Sequence, residues 1–240
     1  MTRRVRLPLH DLAVGTRRLA QTDAHYLLRV RRLAVKDAFV AFDPKSGIEA
    51  EGVVLDENGN VEFTTTRVSA KEPDVIWIHG LAKGDKCDAI VRDATELGAT
   101  RVVFAKMARS IVDLKSDRGE KRLVRWEKIA DEAARQSERS RAPTIALASW
   151  DEALVEAADL ANALRICLYE AGTTPLAGVL TKGHEHYVFA TGPEGGFELA
   201  EIEAAERAGF IVASLGARIL RTETVPAAVL GALQFVTLAT

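Results

Sequence analysis

At 240 residues, with 48% hydrophobic and 28% charged side chains, the chain has ordinary globular composition, which excludes a disordered or low-complexity protein. No apolar run approaches the roughly 20 residues of a bilayer span, and the N-terminus leads into no signal-peptide stretch, so a soluble, cytoplasmic protein is expected. The net charge of −2 argues against a nucleic-acid partner if taken alone, but residues 1–36 carry nine basic and two acidic side chains, whereas residues 145–240 carry five basic and twelve acidic. A basic N-terminal segment on a near-neutral chain reads either as a phosphate-contacting module attached to a second domain or as a solvated arginine-rich face.

In chain order, the spacing predicts short strands over residues 5–9, 38–42, 48–55 and 61–68, with Asp23 capping a helix over residues 24–33. This is a small β-rich domain, residues 1–70, followed by a polar, proline-containing linker over residues 69–74. A second domain, residues 75–240, alternates strands with helices. Its first strand covers residues 75–79; Asp85 then caps a helix with Ile90, Ala94 and Leu97 on one face, which Gly98 ends. A strand over 102–105 precedes a long helix over 120–137 with Leu123, Trp126, Ala130 and Ala133 inward. Strands over 164–168, 187–191 and 211–215 are each followed by a loop and a helical stretch. Pro226 suits the first turn of a last helix that faces inward through Val229, Leu230, Leu233 and Val236. Such alternation implies an α/β fold, a mostly parallel sheet with helices on both faces.

Several chemistries find no support. No two of the 17 glycines are separated by a single residue, so no dinucleotide fingerprint exists, and no Walker loop is present. His10, His25, His79, His184 and His186 lack zincin spacing, Cys87 and Cys167 lack a partner motif, and no metal site is expected.

Two segments stand out, each directly after a predicted strand. Thr191-Gly192-Pro193-Glu194-Gly195-Gly196-Phe197 is a loop stripped of Cβ atoms, which lets backbone groups close on a flat ligand at the carboxyl end of a strand. Leu215-Gly216-Ala217-Arg218-Ile219-Leu220-Arg221-Thr222-Glu223-Thr224 sets two apolar residues between two arginines, unlike either an exposed loop or a core strand.

These segments resemble the SPOUT superfamily of S-adenosylmethionine-dependent RNA methyltransferases. The chain is most similar there to the ribosomal RNA small subunit methyltransferase E family, which methylates N3 of a uridine in 16S ribosomal RNA. The resemblance runs along nearly the whole chain: Ala24-His25-Tyr26-Leu27 with Val30 and Arg32-Leu33, Phe42-Asp43, Lys83-Gly84-Asp85-Lys86, Thr95-Glu96-Leu97-Gly98, Arg109-Ser110, Arg125-Trp126, and Gln136 with Arg139 and Pro143. Departures from the family pattern include Arg31, Lys36, Met107-Ala108, Arg135 and Val225.

The resemblance implies an N-terminal PUA-like β-barrel for RNA, a C-terminal domain with a deep trefoil knot, and a homodimer with RNA bound near the interface. It places the methyl donor against Leu168, Tyr169 and Glu170, against Thr191, Gly192, Pro193, Glu194, Gly195 and Gly196, and against Leu215, Gly216, Ile219, Leu220, Arg221, Thr222, Glu223 and Thr224. RNA contact is expected at Arg4, Arg31, Arg32, Arg109, Arg139 and Arg141, and Arg221 and Arg139 are the catalytic candidates for steadying charge on the uracil. The alternative for Arg221, Arg139 and Arg109 is a structural ion-pair partner, that for Arg4, Arg31 and Arg32 is surface charge, and Glu194 and Glu223 either orient the donor or cap backbone amides. Two other readings stay open: a SPOUT methyltransferase acting on another RNA site, and an RNA-binding assembly factor without turnover.

Overall fold

The computed structural model describes residues 5–43, 46, 48–68, 73–110, 117–137, 139 and 141–238, and the chain divides into two units, Met1–Lys71 and Glu72–Thr240. In the first unit, β1 (Val5–Pro8), β2 (Gly15–Arg18), β3 (Ala38–Phe42), β4 (Ile48–Val54) and β5 (Asn60–Val68) form a five-stranded sheet in the order β1-β3-β4-β5-β2. β1 runs parallel to β3 and the other pairs are antiparallel. The sheet is therefore mixed, and β1 and β2 are left as edges, so pairing among the described strands does not close it into a barrel. Leu7, Phe39, Val54, Val61 and Phe63 form its core, and the rings of Phe39 and Phe63 meet edge to face at 6.0 Å. Gly52 sits at a bulge where an added Cβ would stand 2.5 Å from the Phe39 ring, so the sheet packs there only without a side chain.

The helix expected over residues 24–33 begins earlier. α1 spans Gln21–His25 and runs into a wider turn over Tyr26–Val30, where the Arg31 N–H reaches back to the Tyr26 carbonyl. Asp23 therefore lies in the first turn instead of capping it, and Ala20 holds the N-cap position without a side-chain bond. An acidic group one turn in still suits the positive end of the helix. The expected linker residues 69–72 and Arg4 lie outside the described residues.

In the second unit the chain order is β6 (Asp74–Gly80), α2 (Lys86–Glu96), β7 (Arg101–Lys106), α3 (Asp117–Gln136), β8 (Thr144–Ser149), α4 (Trp150–Ala158) and β9 (Ala163–Leu168). There follow β10 (Thr174–Pro175), α5 (Leu176–Val179), β11 (His186–Thr191), α6 (Leu199–Arg207), β12 (Ile211–Ser214), a short turn over Thr222–Thr224, and α7 (Val225–Leu238). The strands form one seven-stranded sheet, β10-β12-β9-β11-β6-β7-β8, in which every pair is parallel.

Successive strand residues face opposite sides. Trp77, Phe104, Ile166 and Phe189 share a core with Ile90 of α2, Trp126 of α3 and Leu230 of α7. Their neighbours Ile78, Val103, Cys167 and Val188 share another with Leu154 of α4 and Ile202 of α6. Helices thus cover both faces, the α/β architecture expected from the alternating pattern. Asp85 occupies the N-cap position of α2, but its side chain accepts no capping bond; α4 instead carries a full capping box in which Ser149 and Glu152 bond each other's backbone N–H. Gly98, at φ 98°, turns the chain away from the end of α2.

Candidate functional site

β11 lies between β9 and β6, so β7 and β8 extend from it to one side and β9, β12 and β10 to the other. Parallel sheets hold ligands beyond the carboxyl ends of their strands near such a division. A cavity of about 520 Å³ lies there, within the 300–1,000 Å³ usual for small-ligand sites. Its walls come from three segments: Leu168, Tyr169 and Glu170 after β9; residues 191–197 after β11; and residues after β12 that include Leu215, Gly216, Arg218, Ile219, Leu220, Arg221, Thr222, Glu223 and Val225. Of the residues expected to touch the methyl donor, Thr224 alone is not on the wall. Lys86, Phe197, Arg218 and Val225 join the wall beyond those expected there. The sequence signal for Lys86 is its place in the Lys83-Gly84-Asp85-Lys86 motif.

The wall carries an organised set of charges. Lys86 Nζ lies 3.2 Å from Glu194 Oε1 and 3.8 Å from Glu223 Oε2, so one ammonium joins the second and third segments. The Lys83 N–H donates to Glu194 Oε1 at 3.0 Å. Partial burial raises the Glu194 pKa, but bonds from its own and the Lys83 backbone N–H and the nearby Lys86 ammonium outweigh this, and the carboxyl titrates below its ordinary value. Glu223 Oε2 is buried and has no hydrogen-bond partner among the described residues.

The glycines of the second segment serve its own packing as much as any ligand. A Cβ on Gly195 would meet Arg109 Cβ at 3.0 Å, and one on Gly192 would meet the Gly196 backbone and the Phe197 ring at 3.2 Å. Only Gly196, at φ 72°, needs glycine for its backbone conformation. Arg109 lies against this loop and donates to the Gly195 carbonyl at 2.9 Å. Phe197 anchors the far end, packed on Trp150 at 5.6 Å and Tyr169 at 6.0 Å between ring centres. Beneath the loop, Gly80 closes β6 where a Cβ would stand 2.3 Å from Pro193 Cδ.

His79, buried at the end of β6, carries no sequence signal beyond its residue type. Its Nδ1 lies 3.1 Å from Trp77 Nε1 and 2.7 Å from Thr191 Oγ1, and its Nε2 lies 2.9 Å from Thr222 Oγ1. Burial pushes its pKa down to about 3, against a smaller upward pull from the Glu194 carboxylate, so the ring is neutral.

The arginines separate. Arg221 lines the cavity and is solvent-exposed. Arg139 does not line it: Nη1 donates to the carbonyls of Thr95 at 2.8 Å and Ala99 at 2.6 Å, and Nη2 to that of Gly98 at 3.3 Å. Its guanidinium is held by the carbonyls at the end of α2, where a cation is stabilising, a structural role that is one of the two readings open for it. Arg141 is exposed before β8, and Arg31 and Arg32 are exposed in the first unit. Two of the departures from the family pattern, Arg135 and Met107-Ala108, are accommodated by visible contacts or burial, whereas Lys36, where the family has glycine, takes a φ of 77°. Arg135 pairs with Glu132 on α3, Met107 is buried, and the Ala108 N–H donates to Glu201 at 2.8 Å.

An RNA methyltransferase domain model matches residues 70–234, which defines the class of the second unit. Ribosomal RNA small subunit methyltransferase E of Bacillus subtilis (strain 168) is 30% identical over 90% of this chain and 88% of that protein. The protein of the same name from Synechocystis is 34% identical over 87% of this chain and 69% of its own length. The crystal structure of ribosomal RNA small subunit methyltransferase E from Neisseria gonorrhoeae bound to S-adenosyl methionine aligns at a TM-score of 0.77 and 28% identity, covering 98% of each chain. The chain belongs to the ribosomal RNA small subunit methyltransferase E family.

Proposed function

We propose that this protein is an S-adenosylmethionine-dependent methyltransferase that methylates N3 of a uridine in 16S ribosomal RNA of the small subunit, in the cytoplasm. The observation that carries the reading is the convergence of the segments after β9, β11 and β12 on one cavity in a chain of this family. The cavity fits the donor. Leu168, Leu215, Ile219 and Leu220 offer apolar surface for an adenine ring, while Glu170 and Glu223 Oε2, which accepts no hydrogen bond from the described residues, offer acceptors for amino and hydroxyl groups. Bound there, the donor supplies a methyl group already activated on a sulfonium. The chain must then hold the acceptor in line and handle its proton.

Uridine N3 carries a proton at neutral pH. In this reading Arg221 donates to a uracil oxygen and steadies the anion, a role supported by its exposure on the cavity wall. A hydrogen bond from a charged donor contributes about 1.5–3 kcal/mol, equivalent to about one or two pKa units. Arg109 holds the residue 192–196 loop and is the cation offered from that loop's surface to the phosphate backbone. In the first unit, exposed Arg31 and Arg32 support a PUA-like RNA-binding role for residues 1–70. The reading carries a trefoil-knotted path through the three cavity segments and a homodimer. α7 supports the dimer: it has no charged residue and leaves Phe235 80% exposed, a face suited to burial against a second copy.

The test is methylation of small-subunit RNA and assembled subunits from a strain lacking the modification, with nucleosides resolved by mass spectrometry. 3-Methyluridine is expected. Methyl transfer to a ribose or another base favours a different RNA site, and no transfer by folded, donor-binding protein favours an assembly factor.

A further inference from the structure

We propose that His79, which lines no part of the cavity, is a positioning residue that couples two cavity segments through one directed chain of hydrogen bonds. This rests on the reading of the cavity as the S-adenosylmethionine site. The direction of the chain follows from its first member. An indole N–H only donates, so Trp77 Nε1 at 3.1 Å requires a lone pair on His79 Nδ1. The Thr191 hydroxyl, 2.7 Å away, shares that acceptor. The ring is neutral, so its proton sits on Nε2 and is donated to Thr222 Oγ1 at 2.9 Å. Thr222 then directs its own proton to the Gly192 carbonyl at 3.0 Å.

Trp77 and His79 are fully buried and Thr191 is 3% exposed, so water does not compete for the bonds at Nδ1, while the bond from Nε2 leads out to part-buried Thr222 on the cavity wall. An imidazole is an expensive choice for a buried strand position that a leucine could fill, and its two nitrogens are used in opposite roles. Thr222 stands between Arg221 and Glu223, both on the cavity wall. The bond from His79 therefore fixes where the third segment presents its cation and its carboxylate, and the bond onward to Gly192 sets the second segment against it.

The two arms can be cut separately. His79→Asn keeps an acceptor near the Nδ1 position but is too short to reach Thr222; His79→Gln reaches Thr222 with an amide N–H and loses the Nδ1 acceptor. Thr222→Val cuts the same arm from the other side. Titration calorimetry with S-adenosylmethionine is expected to find affinity lowered about tenfold in His79→Asn and about tenfold in Thr222→Val, with the double variant also lowered about tenfold and not about a hundredfold. His79→Gln is expected to stay within about threefold of the parent even though it leaves the Trp77 N–H unpaired and melts lower. The inference is overturned by unchanged affinity in His79→Asn, by losses that multiply in the double variant, or by affinities that follow the melting temperatures. Leu220→Trp, which fills the cavity, separates the premise. If the parent does not bind S-adenosylmethionine, or if this variant binds it as the parent does, the cavity assignment fails and this coupling role falls with it.

Discussion

Replacing Gly80 with alanine is a one-carbon probe of how the cavity is held together. Its backbone is not in the left-handed region, so alanine is conformationally acceptable and the effect is one of space alone. The added Cβ would stand 2.3 Å from Pro193 Cδ, 2.4 Å from Pro193 N and 2.7 Å from Met107 Sδ. Carbon contacts relax at about 3.5–4.0 Å, so the loop carrying Pro193 must lift by roughly 1–1.5 Å. Overpacking of this kind costs about 1–3 kcal/mol, and a displacement of about 1 Å in a reactive site can cost about a hundredfold in rate. Gly80→Ala should therefore lower the urea midpoint by the equivalent of about 1–3 kcal/mol and weaken S-adenosylmethionine binding at least about tenfold. Gly209→Ala is the control. Its φ of 82° carries a conformational penalty, but nothing lies within 4 Å of the new carbon, so it should cost about 1–2 kcal/mol of stability and no affinity. Parent-like donor binding in folded Gly80→Ala would refute the claim that β6 sets the height of the loop.

Arg221→Ala should lower turnover at saturating RNA and donor by about ten- to a hundredfold, and Arg221→Lys should recover only part, since lysine restores charge without the planar fork. Arg139→Ala should lower stability by about 1–3 kcal/mol in chemical denaturation while kcat at saturation stays near the parent's, because its bonds go to backbone carbonyls. The pH dependence of stability has a defined sign at His79: its folded pKa of about 3 lies below the ordinary histidine value of 6.5, so between these values the unfolded chain binds a proton that the native ring refuses. Stability should fall with acidification below pH 6.5 by about 1.4 kcal/mol per unit, and His79→Gln, compared by urea titration at two pH values, should lack that component. Replacing Arg31 and Arg32 with glutamine should flatten the salt dependence of RNA binding by about one unit of slope for each phosphate no longer neutralised, measured by filter binding or anisotropy; an unchanged slope would leave them as surface charge.

Much of the second unit is legible in its sequence because the physics is local. Val75-Ile76-Trp77-Ile78 is a continuous apolar, largely β-branched run of strand length, Gly98 ends α2 where a left-handed residue is needed, the segment at 191–197 stands out as a glycine-rich loop, and that at 215–224 as unlike core or loop. The Ser149-Trp150-Asp151-Glu152 capping box is equally local, yet α4 is missing from the elements expected of the sequence. β2 leaves no such trace: Gly15-Thr16-Arg17-Arg18 is a polar edge strand, defined only by its pairing to β5. The residues whose roles the sequence leaves open are those whose partners are remote. Nothing in the residue type of Arg139 distinguishes a phosphate from the carbonyls of Thr95, Gly98 and Ala99 as its acceptor. His79 looks like any lone histidine on an apolar strand until Thr191 and Thr222 arrive from 112 and 143 residues away. Lys86 becomes a link only when the fold brings both Glu194 and Glu223 beside it.

The insertion of β11 between β9 and β6 also bears on how the chain reaches this state. During synthesis β6, β7, β8 and β9 emerge first, yet β6 and β9 do not pair with each other, because the slot between them belongs to β11. A nascent chain stopped before His186 therefore exposes two apolar strand edges, each a template for the wrong neighbour. The pairing of β11 with β6 spans more than a hundred residues, as does the bond between His79 and Thr191, and partners so distant along the chain close slowly. Refolding should accordingly gain much of its helix before the cavity exists, with donor binding recovered only in the last and slowest phase. Premature closure of the slot would leave a chain that is ordered over much of its length and has nowhere to hold a ligand.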